Sequence, residues 1–114
     1  MDNNITMVRG DTASFGIKFK DYPNIELDSA FLSVKTNYDA GNYLFQKKLG
    51  NGISKVGDGE YTVRIAPSDT ENLEADSYCY DFKIGVNGDI FTILRGLLII
   101  LPRVTNYEEE MVWQ

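Results

Sequence analysis

Residues 77–101 restrict the possible fold of this chain more than any other stretch. The first half reads S-Y-C-Y-D-F-K-I-G-V, with an apolar side chain at every second position. A period of two is typical of a β-strand with one buried face. Asn87-Gly88 follows, a pair suited to the two positive-φ positions of a type I′ turn, and then comes an apolar run from 90 to 101. The stretch therefore predicts a β-hairpin.

The remainder of the chain repeats this pattern in shorter segments separated by turn residues. Strand candidates lie at 5–8, 12–20, 27–36, 43–49, 53–56 and 60–65. Short strands spaced about ten residues apart predict a β-sandwich or a β-barrel. Lys47 and Lys48 favour an edge position for the strand at 43–49, because lysines discourage unwanted strand pairing.

The segment before the hairpin holds the one helical candidate and a structural tyrosine. Ser68 is a suitable cap for a short helical turn near 67–73, with Glu71 three residues on. Tyr78 follows Leu73 at a corner-like interval, and in immunoglobulin-like sandwiches such a tyrosine hydrogen-bonds backbone a few residues upstream. We therefore predict an all-β fold, an immunoglobulin-like antiparallel β-sandwich of about seven to nine short strands with one helical turn.

Length and charge predict one domain followed by a short tail. The chain has 114 residues, the usual size of one domain. Three adjacent acids at 108–110 are costly in a core, so we assign 1–103 to the β-sandwich domain and 104–114 to an acidic C-terminal tail. The formal net charge is -6, and no cluster of basic residues is longer than Lys47-Lys48. Because nucleic-acid binding usually needs a basic patch, we expect no nucleic-acid partner.

Three features bear on the compartment of the protein. The single cysteine, Cys79, excludes an intrachain disulfide, which fits a reducing cytoplasm. The N-terminus M-D-N-N-I-T has neither the basic region nor the apolar core of a secretory signal. The longest apolar run, 96–101, is far shorter than the ~20 residues of a membrane-spanning helix. We expect no membrane partner and no secretion by a signal peptide.

The chain offers few residues for catalytic chemistry. Histidine is absent, which removes the commonest general base and metal ligand. The carboxylates show no spacing that selects a catalytic pair, and no Gly-rich phosphate loop precedes a helix. The acids of 69–76 have oxygens that suit Ca²⁺ but lack the EF-hand pattern, so we interpret them as solvated turn residues. We expect no enzyme activity, no cofactor and no metal.

Arg9-Gly10-Asp11 matches the triplet that integrins recognise. It lies between two strand candidates, and Gly and Asp are common turn residues. We interpret the triplet as a turn.

The second strand of the hairpin, 90–101, is apolar at positions of both parities. One face belongs to the core, and a large apolar patch is rarely left in water. One possibility is that the chain's own termini cover the second face, or that a bulge at Gly96 exchanges the inward and outward positions along the strand. The other possibility is that another subunit covers the second face. Met and aromatic residues are preferred anchors of interfaces. The predicted interface residues are Phe91, Ile93, Leu97, Ile99, Leu101, Met111, Val112 and Trp113.

Asp81 is the residue of the hairpin with a predictable charged neighbour. With Asn87-Gly88 as the central turn residues, Asp81 faces Leu94, one residue from Arg95. The same bulge would bring Asp81 opposite Arg95. An exposed ion pair of this kind contributes only about 0–1 kcal/mol.

Three motifs carry a resemblance to a known class of proteins. They are V-R-G-D-T-A-S-F, D-T-E-N-L-E-A-D-S-Y-C-Y-D-F and F-T-I-L-R-G-L-L-I-I-L-P-R-V-T. Over positions 5–105 the chain resembles immunoglobulin-like β-sandwich proteins of tailed bacteriophages and prophages. These are tail or baseplate-associated proteins, including the N-terminal domain of baseplate upper proteins.

The resemblance carries over no catalytic residue. It implies a virion structural or assembly component, made in the bacterial cytoplasm and then built into the virion. The implied partners are other phage structural proteins or a second copy of the chain.

A carbohydrate- or cell-surface-binding module is the alternative interpretation. Tyr22, Tyr38 and Tyr43 lie in loop regions, and loop aromatics of this kind stack on sugars. This hypothesis also requires no catalytic residue.

Overall fold

Eight strands and one short helix lie between residues 3 and 105, the part of the chain that this computed structural model describes. In chain order they are β1 (Ile5–Val8), β2 (Ala13–Lys18), β3 (Ser29–Lys35), β4 (Phe45–Leu49), β5 (Gly52–Gly57), β6 (Glu60–Ile65), α1 (Pro67–Thr70), β7 (Asp76–Val86) and β8 (Asp89–Leu101). The predictions of an all-β fold and of one helical turn within 67–73 are confirmed for this part of the chain.

The strands form two layers that are joined at one side. Their order is β1-β8-β7-β3-β4-β5-β6-β2. We call β1, β8, β7, β3 and β4 the front sheet, and β5, β6 and β2 the back sheet. The layers meet where β4 and β5 pair through Lys48 with Gly52 and Leu49 with Ile53. This is the strand order of an immunoglobulin-type sandwich, so the predicted fold class is confirmed.

Two strand pairs are parallel, which differs from the purely antiparallel sheet predicted. β1 runs parallel to β8, and β4 runs parallel to β5. β1 and β2 form opposite ends of the strand order, so the short connection at residues 9–12 carries the chain from the front sheet to the back sheet. Two strands joined by a tight hairpin must be antiparallel, whereas strands joined by a longer crossover can pair in parallel. β4 is the last strand of the front sheet, but Lys48 and Leu49 at its end pair with β5. The edge position predicted for 43–49 is therefore wrong for this end of the strand.

The core lies between the two sheets and uses the inward positions of both. Buried residues alternate with more exposed ones along β3 and most of β7, as the period of two requires. Phe82 and Leu32 from the front sheet and Ile53 from the back sheet are among the largest fully buried side chains. Each contributes about 1.5–3 kcal/mol of hydrophobic free energy. The buried cluster consists of Met7, Leu27, Ala30, Leu32, Val34, Ile53, Tyr61, Val63, Ile65, Tyr78, Tyr80, Phe82, Ile84, Leu98 and Ile100.

A β-bulge at Ile93 changes the register of the hairpin formed by β7 and β8. The register pairs on its two sides are Lys83 with Thr92 and Phe82 with Leu94. The prediction of a bulge near Gly96 is therefore wrong in position. The predicted consequence is nevertheless present, since Asp81 lies opposite Arg95.

Gly96 stays in the regular ladder, opposite Tyr80, and the N-terminal backbone packs directly on it. A Cβ atom at Gly96 would lie 2.6 Å from the carbonyl oxygen of Asn3. The Asn3 amide donates a 3.0 Å hydrogen bond to the Arg95 carbonyl, and the Tyr80 hydroxyl donates one to the Asn3 carbonyl. The segment before β1 is thus held against β8 at a position where only glycine leaves enough room.

The N-cap of α1 lies two residues before Ser68, the cap that the sequence predicted. Ala66 is the N-cap and Pro67 the first helical residue, a position that suits proline because its missing N–H has no helical partner there. The carboxylate of Asp69 accepts the Ala66 amide at 2.7 Å. Asp69, three residues after the N-cap, therefore takes the role that the sequence pattern assigned to Glu71.

The Arg9-Gly10-Asp11 segment packs against α1. The Gly10 amide donates to the Thr70 hydroxyl at 2.9 Å, and Arg9 Nε donates to the Glu71 carbonyl at 2.7 Å. Gly10 has a φ of 79°, a left-handed conformation that favours glycine. These contacts support the interpretation of the triplet as a turn between β1 and β2.

Tyr78 makes the corner contact at the start of β7. Its hydroxyl donates a 2.6 Å hydrogen bond to the carbonyl oxygen of Glu74, the residue after Leu73. The Tyr78 side chain is 8% exposed, and Leu73 packs against the core. Burial raises the pKa of Tyr78, and the carboxylates of Asp76 and Glu74 raise it further.

The free energy of unfolding is expected to fall as the pH rises above about 10, the pKa of an unfolded tyrosine. Because the folded pKa of Tyr78 is raised, the unfolded chain loses this proton first, and stability declines until the pH passes the folded pKa. Burial raises the pKa of Tyr80 in the same direction. The Tyr78→Phe variant lacks the hydrogen bond, so its free energy of unfolding at neutral pH should be lower by about 1 kcal/mol. Its free energy of unfolding should also fall less steeply as the pH rises above about 10. Denaturant unfolding across this pH range measures both effects. If the free energy of unfolding fell equally steeply with pH in the variant and the parent protein, the raised pKa of Tyr78 would be contradicted.

Candidate functional site

The bulge divides the predicted interface residues of β8 between two places. Phe91 lies opposite the buried Ile84, on the core side of the sheet, although it is 51% exposed at the end of the sandwich. After the bulge the parity is reversed, so that Leu98 and Ile100 are buried and their neighbours face outward. The prediction of one apolar face is therefore wrong, because the extra residue at Ile93 moves Phe91 to the face opposite Leu97, Ile99 and Leu101.

The outward residues after the bulge do not form a broad exposed patch. Leu97 and Ile99 are half-buried, and Leu101 is 41% exposed. β1 pairs with this part of β8 through Thr6 opposite Ile99 and Val8 opposite Leu101. The chain's own N-terminal strand therefore covers the edge of β8 here. The predicted interface residues Met111, Val112 and Trp113 lie outside the described residues.

A groove opens at the end of the sandwich, between the loop from β2 to β3 and the start of β8. We call it the tip groove, and its volume is about 1000 Å³. Tyr22 and Phe91 line it and are 66% and 51% exposed. The residues that line it are Phe19, Asp21, Tyr22, Pro23, Asn24, Ile25, Glu26, Ile84, Val86, Asn87, Phe91, Thr92 and Ile93.

Backbone hydrogen bonds hold the loop wall of the tip groove in place. The Phe19 amide donates to the Gly59 carbonyl at 2.8 Å, and the Asp28 amide donates to the Gly85 carbonyl at 2.8 Å. Between these ends the Leu27 amide donates to the buried Tyr61 hydroxyl at 3.1 Å. The loop is therefore tied to both sheets, and the groove exists before any partner binds.

A second depression lies on the outer surface of the front sheet, and we call it the front cleft. Its volume is about 480 Å³. The loop between β3 and β4 supplies two tyrosines to it, Tyr38 at 55% exposure and Tyr43 at 54%. The residues that line it are Phe31, Ser33, Lys35, Tyr38, Tyr43, Gln46, Cys79, Tyr80, Asp81 and Lys83.

The floor of the front cleft is polar at its centre, although Phe31 and Cys79 also line the cleft. Ser33 of β3 lies between Gln46 of β4 and Asp81 of β7 in the sheet register. The Gln46 side-chain amide donates to the Ser33 hydroxyl at 2.9 Å. This hydrogen bond fixes the orientation of both side chains.

Each of the two loop tyrosines of the front cleft has a cation beside its ring. Lys35 Nζ lies 5.4 Å from the centroid of Tyr43, and the guanidinium carbon of Arg95 lies 5.1 Å from that of Tyr38. Contacts of this kind are worth about 0.5–1 kcal/mol at exposed sites. They restrict the two rings and place positive charge along the cleft.

The structure brings together two of the three tyrosines named for carbohydrate binding. Tyr38 and Tyr43 share the front cleft, whereas Tyr22 lies in the tip groove. The sequence analysis did not select the polar floor of the cleft. The alternation of β3 and β7 does identify their polar outward residues. That these residues form one surface depends on the pairing of the two strands, which are distant in the chain.

The described residues offer no assembled metal site or membrane-spanning helix. Among residues 3–105, no group of three or more His, Cys, Asp and Glu side chains is placed to hold a metal ion. No helix in this part of the chain is long and apolar enough to cross a membrane. Asp69, from the acidic segment considered for Ca²⁺, contacts Lys47 Nζ at 2.6 Å.

Comparison with known proteins identifies structural similarity without a family. No protein-family model and no curated protein matches the chain. CopC from Methylosinus trichosporium OB3b is similar in structure, with a TM-score of 0.52 and 15% identity over 91% of this chain and 89% of that chain. A pullulanase from Bacillus acidopullulyticus has a TM-score of 0.48 and 15% identity over 85% of this chain and 12% of its own. Similarity at this level concerns the fold alone.

Proposed function

We propose that the protein is a non-enzymatic structural or assembly protein of phage or prophage origin. In this proposal it acts as a tail- or baseplate-type docking module and binds a protein partner through the tip groove. The observation that carries the proposal is the pair of exposed aromatic side chains, Tyr22 and Phe91, that line this groove. Tyr22 lies on the loop wall that backbone hydrogen bonds hold in place. Preformed apolar depressions lined by aromatic residues are typical of docking sites.

Charge favours a different protein over a second copy as the partner. The lining of the tip groove contains the acids Asp21 and Glu26, with Glu26 paired to Lys55 on the back sheet. The whole chain carries a net charge of -6, so two copies repel each other at long range. We therefore propose a partner that inserts apolar side chains into the groove and carries lysine or arginine beside them.

Phe91→Asp is expected to weaken binding of this partner at least about 30-fold, as substitution of a central aromatic anchor does. The candidate partners are the products of the genes that flank the coding sequence, tested one by one by calorimetry and light scattering. Val56→Asp is the matched control, because Val56 is 61% exposed on β5 of the back sheet and is not among the residues that line the groove.

The controls separate docking at the groove from a general effect of charge. Binding lost in Phe91→Asp and retained in Val56→Asp would support the proposal. Equal loss in both variants would contradict the tip groove as the site. Flanking genes for tail and capsid proteins that yield no binder would contradict the docking function.

A second candidate function is binding of a carbohydrate or cell-surface ligand. The observation in its favour is that Tyr38 and Tyr43 flank one cleft with a polar floor. Ligand sites commonly combine aromatic walls with a few placed polar groups. A glycan array with Tyr38→Ala and Tyr43→Ala as comparison variants tests it, and unchanged binding by both variants would contradict it.

A further inference from the structure

We propose that the ligand of the front cleft is a saccharide that carries an anionic group, either a carboxylate or a phosphate. This inference rests on the second candidate function and adds the chemical class of the ligand. It depends on three observations of the cleft: the aromatic wall, the fixed polar floor and the local sign of the charge.

The aromatic wall suits the apolar face of a sugar ring. Tyr38 and Tyr43 are both more than half exposed and lie on one loop above the sheet. The loop is shaped by local hydrogen bonds, with the Asp39 amide donating to the Asn37 side chain at 3.0 Å and the Leu44 amide donating to the Val34 carbonyl at 2.7 Å. Rings held in this way bind a flat apolar face with little loss of conformational entropy.

The polar floor suits the hydroxyl groups of a sugar. The Ser33 hydroxyl oxygen accepts the hydrogen bond from Gln46, which leaves the hydroxyl hydrogen of Ser33 to donate to a ligand. Asp81 lies beside Ser33 in the register, and its carboxylate accepts hydrogen bonds. The floor therefore presents both a donor and an acceptor.

The charge of the cleft is opposite in sign to that of the chain. Two lysines, Lys35 and Lys83, and one acid, Asp81, line it, whereas the chain as a whole has a net charge of -6. Arg95 lies opposite Asp81 and beside Tyr38, which adds positive charge at the same place. An excess of cations attracts and orients a carboxylate or phosphate.

A nuclear magnetic resonance titration of the full chain tests this inference with three probes: an oligogalacturonate, glucose 1-phosphate and neutral maltotriose. We expect the anionic saccharides to bind with shifts confined to the front cleft and with an affinity that falls as salt is raised. The first two probes distinguish a carboxylate from a phosphate ligand.

Two variants and their matched controls assign the binding energy. Lys83→Met should weaken binding of the anionic probe about tenfold, as loss of a charge-assisted contact does. Lys18→Met is its control, since Lys18 has a 63% exposed side chain on the back sheet. Tyr38→Ala should weaken binding by a similar factor, and Tyr22→Ala in the tip groove should leave it unchanged.

The outcomes separate the inference from the function on which it rests. Preferential anionic binding that is lost in Lys83→Met would support the inference. Equal binding of maltotriose, with the same loss in Tyr38→Ala, would overturn the anionic class and keep carbohydrate binding. Absence of binding by any of the three probes at millimolar concentration, in folded protein, would overturn both.

Discussion

Gly96→Ala is expected to lower the free energy of unfolding by about 2–3 kcal/mol, near the upper end of the usual cost of overpacking. A Cβ atom at this position would lie 2.6, 2.9 and 3.0 Å from the carbonyl oxygen, the carbonyl carbon and the nitrogen of Asn3. All three are backbone atoms, which cannot rotate away as the end of a side chain can. Relief would require the N-terminal segment to move off β8.

That movement would break several contacts at once. The Asn3 amide would lose its 3.0 Å hydrogen bond to the Arg95 carbonyl, and the buried Tyr80 would lose its acceptor at Asn3. A buried hydroxyl without a partner costs about 1–3 kcal/mol. The variant should therefore either keep the steric clash between residue 96 and Asn3 or lose these hydrogen bonds. Both outcomes lower the free energy of unfolding.

Gly41→Ala is the matched control for this measurement. No heavy atom lies within 4 Å of a Cβ at Gly41, so the change should stay within about 0.5 kcal/mol. Both variants are compared by urea unfolding at neutral pH. A Gly96→Ala protein as stable as the Gly41→Ala protein would contradict the close approach of the N-terminal backbone to β8.

Lys47→Met is expected to destabilise the fold by about 3 kcal/mol, because it leaves a largely buried carboxylate without its counter-ion. Lys47 Nζ lies 2.6 Å from Asp69 Oδ2, and each side chain is 13% exposed. The same oxygen of Asp69 accepts the Ala66 amide at 2.7 Å. The ion pair thus joins β4 of the front sheet to the first turn of α1.

The double variant Lys47→Met with Asp69→Asn should recover part of this loss. Replacing both members of a buried pair leaves no unpaired charge, and asparagine keeps an oxygen that accepts the Ala66 amide. A double-mutant cycle from urea unfolding measures the coupling between the two side chains. Additive single effects would show that the pair contributes no stability of its own.

An exposed ion pair elsewhere in the chain is the control. Lys18 Nζ lies 3.2 Å from Glu60 Oε1 on the back sheet, with side-chain exposures of 63% and 43%. Lys18→Met should change stability by no more than about 0.5 kcal/mol, since water screens the pair. The contrast with Lys47→Met isolates the effect of burial from that of losing a lysine charge.

The sequence predicted the aromatic residues of the front cleft better than it predicted the tip groove. Loop aromatics were recognisable in the sequence, and Tyr38 and Tyr43 do lie together in the front cleft. Tyr22 lies elsewhere because its loop is tied by backbone hydrogen bonds to Gly59 and Gly85. The destination of a loop depends on such distant contacts, which a single sequence does not display.

In the hairpin of β7 and β8, one feature could be predicted from the sequence and another could not. Its turn was predictable, since Asn87 and Gly88 have φ values of 52° and 85°, as the Asn-Gly pair of a type I′ turn requires. The face that each residue of β8 presents was not, because the bulge at Ile93 reverses the parity for the rest of the strand. A shift by one residue exchanges the two faces.

The sequence by itself determined the strands, the main turn and the alternation of buried and exposed side chains, because these depend on residues close together in the chain. The tertiary structure alone decided where β8 bulges, why Gly96 must be small and why Lys47 is buried. Each of these depends on an approach between distant segments, such as Asn3 to Gly96 or Lys47 to Asp69. The physical reason is that packing and charge burial are properties of the space between segments, and that space exists only after the two sheets have come together.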